Sequence, residues 1–310
     1  MSTVVVTGGA GFIGSHLVDA LAARGDDVVV LDDLSTGVRE NLAEGVRLVQ
    51  GDVADTEALR DALENGADAV LHTAGQASIA HSFSHPERDL RANVSGTLAV
   101  IDACLQWSVP RLVYASSMTV YGEPTTVPTS EDEPCRPLSY YGVTKYAAER
   151  YVQIAGERTD IDLSVTSLRM FNVFGERQRL DNPYQGVLAI FIGNALRGES
   201  LTIHSDGLQT RDFVYVGDVV DAWLRVLDDD ATRGRVFNVG SGSETSIGEL
   251  AGAVLARVGL DGHPIEHAPP QLGDLRRSGA DVRALERATG WEPRTSLADG
   301  LAKTLAWARG

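Results

Sequence analysis

Three glycines spaced Gly8-x-x-Gly11-x-x-Gly14 follow the apolar run Val4-Val5-Val6 and open a helical stretch at Phe12. No other feature limits the fold of this chain as much. Glycine at these points permits a tight turn and lets backbone N–H groups approach a pyrophosphate at the helix N-terminus. A glycine triad alone also arises from close packing, so its weight lies in the order strand, triad, helix at the very start of the chain. The next apolar run ends in Leu31-Asp32-Asp33. An acid at the end of the second strand accepts both ribose hydroxyls of NAD and repels the 2′-phosphate of NADP. Asp32 is the first candidate; Asp33 either assists or faces solvent.

The rhythm downstream agrees with that start. Short β-branched runs at 4–7, 28–31, 46–50, 69–72 and 111–116 alternate with helical stretches at 12–23, 56–65 and 87–107. Such alternation predicts βαβ units, a parallel sheet and helices on both faces through right-handed crossovers. Beyond Tyr141 the rhythm loosens, with Asn182-Pro183 and several glycines interrupting it. The expected elements there are a helix over 141–156, strands at 163–168, 213–216 and 235–239, and helices at 187–197, 247–258, 282–289 and from 297. The expected architecture is a doubly wound Rossmann-type sheet with a smaller C-terminal α/β lobe. Residues 1–171 with 211–239 are assigned to the nucleotide-binding domain, and 172–210 with 240–310 to the substrate lobe.

Lysine is scarce here: of 27 basic residues only Lys145 and Lys303 are lysines. Lys145 stands four residues after Tyr141, and positions i and i+4 share one helix face. An ammonium beside a phenol favours phenolate and lowers its pKa. The other reading is a cation on a solvated helix.

A net charge of −16 speaks against a general nucleic-acid binder, which needs clustered cations. No apolar run approaches the roughly 20 residues that cross a bilayer. Two cysteines, Cys104 and Cys135, do not make a disulfide framework, and no leader pattern is visible; a reduced cytoplasmic setting is expected. His81 and His85 lack a carboxylate or cysteine set to complete a metal site and read as polar helix-entry residues, so no metal is expected. Asp228-Asp229-Asp230 reads as a solvated helix end.

The triad, Tyr141-x-x-x-Lys145 and Ala115-Ser116-Ser117-Met118-Thr119-Val120-Tyr121-Gly122 together resemble the extended short-chain dehydrogenase/reductase superfamily. Within it the chain is similar, over nearly its whole length, to the NAD-dependent sugar-nucleotide epimerases of the UDP-glucose and UDP-glucuronate 4-epimerase group. That resemblance implies NAD as cofactor, a UDP-sugar as substrate and a homodimer built from the helices at 87–107 and 141–156. It places the cofactor on Gly8, Gly11, Phe12, Ile13 and Gly14, and on the acidic loop Asp32, Asp33, Leu34, Ser35, Thr36 and Gly37. Asp52 and Val53 would meet the adenine. Thr73, Ala74, Gly75 and Ala77 would lie under the cofactor, supported by Asn93. Ala115, Tyr141, Lys145, Phe171 and Val173 would complete its site.

By the same resemblance the catalytic group is Tyr141, Lys145 and Ser117. Substrate contacts are assigned to Ser82, Ser117, Thr119, Tyr141, Asn172, Arg179, Val187, Thr202, His204, Arg211 and Asp274. Tyr141 would take the O4 proton, Lys145 would lower the tyrosine pKa and hold the nicotinamide ribose, and Ser117 would bind O4. Dehydratase relatives place an Asp-Glu pair after the active-site Thr, whereas Ser117-Met118-Thr119 carries no acid. Arg177-Gln178-Arg179-Leu180-Asp181 resembles the UDP-glucuronate enzymes, where Arg179 would reach a C6 carboxylate; as a solvated loop arginine it would do nothing. Ser278 would leave room at the sugar C2. Pro270-Gln271-Leu272 stands where relatives carry a second phosphate arginine, for which Arg276 or Arg277 would substitute, or Arg211 would act alone. UDP-hexose 4-epimerisation through a transient 4-keto sugar is the expected activity. UDP-glucuronate or UDP-N-acetylglucosamine 4-epimerisation, a net keto-sugar reductase and a non-catalytic NAD(H)- or sugar-nucleotide-binding protein are the alternatives.

Overall fold

A computed structural model describes residues 1–181, 186–271 and 273–310. Asn182, Pro183 and Leu272, noted above, lie outside the described residues. The first half runs β1 (Thr3–Thr7), α1 (Phe12–Arg24), β2 (Asp27–Asp32), β3 (Arg47–Gln50), α2 (Thr56–Leu63) and β4 (Ala69–His72). Then come α3 (Ile79–Ser84), α4 (Pro86–Leu90), a π-helical turn Arg91–Ser95, α5 (Gly96–Gln106), β5 (Arg111–Ser117), α6 (Tyr140–Glu157) and β6 (Ser164–Met170). The second half holds β7 (Asn172–Phe174), α7 (Val187–Arg197), β8 (Leu201–His204), β9 (Thr210–Arg211), β10 (Phe213–Tyr215) and α8 (Val216–Asp228). It closes with β11 (Arg235–Val239), β12 (Thr245–Ser246), α9 (Ile247–Val258), β13 (Ile265–Ala268), α10 (Arg283–Thr289) and α11 (Leu297–Arg309).

Seven strands form one sheet in the order β11-β6-β5-β4-β1-β2-β3, every pair parallel. The uninterrupted Val-Leu runs of β1, β2 and β4 suit strands covered on both faces. Val4 and Val6 face one apolar layer with Leu17 and Leu21 of α1 and Trp223 of α8. Val5 faces the other, with Leu59, Val100 and Val152 from α2, α5 and α6. β1 pairs with both β2 and β4, so the strand order reverses there and a crevice opens above the carboxyl ends.

A second core gathers Phe191 and Ile192 of α7, Leu201 of β8, Leu250 of α9 and Leu301 of α11. The main chain passes towards it at Phe171, whose N–H still reaches Val239 O before β7 pairs with β10 outside the main sheet. The C-terminal segment serves both cores: Leu285 and Trp291 pack under the sheet, while Leu301 and Leu305 join the smaller cluster.

The helix expected over 87–107 differs in detail. His85, held at φ −138° before Pro86, separates α3 from α4, as pre-proline sterics require. The following π-helical turn adds a residue to the spiral and turns Asn93 inward, where it is buried. No helix among the described residues is long and apolar enough to cross a membrane. Cys104 is buried, Cys135 half-buried, and both are free.

Trp291 is fully buried and its Nε1–H donates to Asp218 O at 3.0 Å, tying the C-terminal segment to α8. Trp291→Ala is expected to cost about 3–5 kcal/mol, read as a lowered urea midpoint.

Candidate functional site

The crevice above β1 and β4 continues towards the smaller core as one cavity of about 1620 Å³. Pockets for a single ligand usually span roughly 300–1,000 Å³, so two molecules fit side by side. Gly8 (φ +70°) and Gly11 line its floor. A Cβ on Gly8 would stand 2.7 Å from Ala74 N, and one on Gly14 would overlap the Gly8 carbonyl. No side chain caps the N-terminus of α1, so its leading N–H groups, at Phe12 and Ile13, are left for an anion.

Asp32 closes that end. Its Oδ2 accepts from Ala10 N at 2.9 Å and its Oδ1 from Leu34 N at 2.8 Å; burial pushes its carboxyl above the usual carboxylate range. Gly37 and Leu34 act on the acid from behind and do not line the cavity. Leu34 supplies the N–H from a left-handed turn (φ +59°), and a Cβ on Gly37 would lie 3.0 Å from Asp32 Oδ2. Asp33, Ser35 and Thr36 reach the wall, with Asp33 Oδ1 accepting from Ser35 N at 2.9 Å. Asp52 and Val53 line the far side, where Asp52 is paired with Arg91 at 2.8 Å. Thr73, Ala74, Gly75, Ala77, Ala115, Phe171 and Val173 complete this half. Asn93 lies behind Gly75: a Cβ there would meet Asn93 Oδ1 at 2.6 Å, and that oxygen is buried without a partner.

Ser139 Oγ accepts from Gly142 N at 3.0 Å and starts α6, so Tyr141 and Lys145 rise on one face. Gly142 has no room for a Cβ, which would lie 2.7 Å from Thr119 O. This seats the first turn against the segment that follows β5. The Tyr141 hydroxyl meets Ser117, which also accepts from Thr119 Oγ1 at 3.0 Å. The Lys145 ammonium sits 4.5 Å above the Tyr114 ring.

The expectation that Lys145 alone brings the phenol towards neutrality is not met by the protein's own groups. Burial pushes Tyr141 up to about 12, against the pull of Ser117. Burial likewise drags Lys145 down to about 7, against the pull of Asp89 and Glu149. Withdrawal from water penalises both charged forms, and that outweighs neighbourhood along the helix.

On the substrate side Thr119, Asn172, Arg179, Val187, Thr202, His204, Arg211 and Asp274 line the cavity with Ser117 and Tyr141. Arg211 is ion-paired with Asp274, and its Nη1 donates to Leu275 O at 2.8 Å. His204 Nδ1 lies 2.9 Å from Pro269 O, and its Nε2 2.9 Å from Gln271 Nε2. Ser82 does not reach the wall: it is buried in α3 and its hydroxyl donates to Ile79 O at 2.7 Å, as short side chains on helices often do. Arg179 reaches it half-exposed, with its guanidinium bonded to both carboxylate oxygens of Asp181. Ser278 is buried behind the wall, 4.0 Å from Met118 Sδ. Neither Arg276 nor Arg277 lines the cavity: the first pairs with Asp206, the second with Glu244.

Several wall residues escaped the sequence reading. Gln178 is buried with Oε1 unpartnered, and Gln76 and Arg177 also line the cavity. The polar run Arg177-Gln178-Arg179 was the only available signal for Gln178. No group of His, Cys, Asp and Glu among the described residues could hold a metal.

A glycine-floored crevice, an acid at the end of β2 and a Tyr–Lys pair beside Ser117 define a dinucleotide-dependent enzyme that moves a proton and a hydride. Residues 4–240 match the NAD dependent epimerase/dehydratase family. A UDP-glucose 4-epimerase of Mycolicibacterium smegmatis is 42% identical over 313 residues, covering 98% of each chain. The crystal structure of Thermotoga maritima UDP-glucose 4-epimerase with UDP-glucose superposes with a TM-score of 0.94 at 37% identity, over 99% of this chain and 98% of that one. That of the Thermus thermophilus enzyme with NAD gives 0.91 at 38%, over 99% of both. The chain belongs to the NAD-dependent epimerase/dehydratase family. The glycine floor, the open α1 terminus and the orphaned Asn93 acceptor under Gly75 fit that cofactor.

Asp32→Ser is expected to weaken NAD binding by about 10–100-fold, the worth of hydrogen bonds to a charged group, and to narrow the gap to NADP. Isothermal titration with both cofactors checks this.

Proposed function

We propose that this protein interconverts UDP-hexoses at C4, of the UDP-glucose/UDP-galactose type, through a transient 4-keto sugar. The observation that carries the reading is the Tyr141 hydroxyl against Ser117 on the wall of a cavity that Asn172 also lines, with no carboxylate in the segment 115–122 that presents Ser117. Loss of water or of carbon dioxide calls for a further acid or base there, and the neighbouring Met118 and Thr119 supply none.

When bound, NAD would supply the hydride acceptor and donor for the sugar C4. Tyr141 Oη, as phenolate, accepts the O4 proton, and Ser117 Oγ hydrogen-bonds O4 and lines it up. Lys145, one helical turn after Tyr141 and with its Nζ 3.9 Å from the point where a Gly75 Cβ would stand, would steady the phenolate and hold the cofactor ribose. Asn172 Oδ1, buried and unpartnered, is an acceptor for a sugar hydroxyl. Arg211 leaves Asp274 for the substrate diphosphate, and Asp274 takes the uridine ribose. Arg179, half-exposed on the same wall and paired with Asp181, would be the contact for a uronate substrate.

The enzyme acts as a homodimer in the cytoplasm, on our reading. Val143, Tyr151 and Ile154 of α6 leave an apolar stripe about half-exposed, and Leu90 at the end of α4 is exposed to a similar degree. A second copy laying the same face on it would close a four-helix layer. Two free cysteines suit a reducing compartment.

Nuclear magnetic resonance of the protein with UDP-glucose, UDP-N-acetylglucosamine and UDP-glucuronate, without added reductant, tests the activity. The C4 epimer of UDP-glucose is expected at constant NADH absorbance; stoichiometric NADH consumption would point to a reductase. Tyr141→Phe should keep NAD binding and lose about 10²–10⁴-fold in kcat. Lys145→Arg should fold and lose most activity, because a planar fork does not replace a compact ammonium. Val143→Glu with Ile154→Glu should sediment as a monomer, while an unchanged mass would exclude this face.

A further inference from the structure

Asp89 on α4 has no place in the chemistry above, yet it is fully buried a short way behind the reacting groups. Three elements converge on its carboxylate. Thr144, on the α6 turn between Tyr141 and Lys145, donates to Oδ2 at 2.6 Å. Gln76, on the cavity wall after β4, donates to Oδ1 at 2.7 Å, and Asn93 Nδ2, from the π-helical turn, at 3.2 Å. All three partners are neutral.

Lys145 is the complementary case. It is 5% exposed, and its neighbours are a ring face and the fields of two acids, Asp89 and Glu149; it forms no ion pair among the described residues. A buried cation without a counter-charge is costly. Glu149 already serves Arg169 with both oxygens, at 2.7 and 3.0 Å, and accepts from Ser116 at 2.6 Å. The hydrogen bonds to Asp89 come from neutral groups, and the field of Lys145 acts on it ahead of that of the His81 ring in α3.

We propose that Asp89 is a positioning residue for this epimerisation, the buried counter-charge that keeps Lys145 an ammonium and the anchor that holds the turn carrying Tyr141 and Lys145 against Gly75. The proposal rests on the function given above. Geometry places the anchor: Lys145 Nζ and Asn93 Oδ1 lie 3.9 and 2.6 Å from the point where a Gly75 Cβ would stand. Asp89 thus binds the donor face of Asn93 and leaves its acceptor face towards Gly75.

The electrostatics agree in sign. Asp89 is the first acid opposing the fall of Lys145, ahead of Glu149, and it also raises Tyr141 and Tyr114. His72, the remaining ionisable neighbour of Lys145, is pushed down to about 3 by burial and then by Lys145 itself, so it stays neutral. Removing the Asp89 charge therefore makes the Lys145 proton easier to lose and the Tyr141 phenolate easier to form. Both midpoints move to lower pH.

Having only two lysines makes the test direct. In Asp89→Asn, Thr144 can turn its hydroxyl to Tyr141 O, already 3.0 Å away, so the cluster stays bonded. Protein labelled with ¹³C,¹⁵N-lysine, without nucleotide sugar, gives side-chain signals from Lys145 and the exposed Lys303 alone. Asp89→Asn is expected to lower the Lys145 titration midpoint by at least about one pH unit, the usual effect of a nearby charge, leaving Lys303 in place. Thr144→Val, which keeps the carboxylate, should move it far less. With UDP-glucose, the whole pH–kcat profile of Asp89→Asn should slide to lower pH, whereas a residue that only braces the fold would change its height. An unmoved Lys145 midpoint in folded Asp89→Asn overturns the proposal. So does failure of both Asp89→Asn and Asp89→Ser to fold by circular dichroism, which would make Asp89 a structural anchor alone. Absence of epimerisation in the wild type would instead sink the proposed function, and the lysine titration does not depend on it.

Discussion

The structure hangs on the close approach of two turns: the Gly8 turn after β1 and the turn at 73–75 after β4, which meet where Gly8 leaves no room for a side chain. β1 hydrogen-bonds to β2 on one side and β4 on the other. The helix after β1 packs on one face of the sheet, and α5, which follows β4, packs on the opposite face. That divergence opens the crevice, and the missing Cβ atoms of Gly8 and Gly75 let the two turns close up and Asn93 pack directly behind Gly75. The cavity, the direction of α1 and the seat of α6 all take their positions from this junction.

Around it the protein manages charge by burial more than by exposure. Net −16 on the whole chain leaves cations few and placed. Arg211 and Lys145 are buried cations of the cavity wall, and each has an acid in reach. Arg211 touches Asp274 directly, a contact that a nucleotide diphosphate and ribose can exchange for their own. Lys145 feels the field of Asp89 without touching it, so its charge is supported and not captured. A direct ion pair would hold the ammonium away from the phenol and the cofactor ribose.

Much of the first half was legible in the chain. Short apolar runs and the glycine triad predicted β1, α1, β2, β4 and β5 to within a residue or two, because period and turn chemistry are local. Legibility fell where partners came from elsewhere. Asn93 was named only through the family resemblance, because the π-helical turn that points it inward is marked by no sequence pattern. Ser82 bonds within α3 and lies outside the cavity lining, and Arg276 and Arg277 find Asp206 and Glu244 across the surface. Asp89, in a plain charged helix segment, carried no signal at all, since its importance arises from Thr144, 55 residues later.

The sequence by itself determined the order of strands and helices, the dinucleotide crevice, and the placing of Tyr141 and Lys145 on one helix face. Those follow from residue spacing and from the absence of side chains at particular points. Only the tertiary structure decided how burial shifts those two groups, which arginines face the cavity, and which buried polar atoms are left without a partner. Desolvation and partner choice depend on everything packed around a group, and that surrounding is assembled from distant parts of the chain.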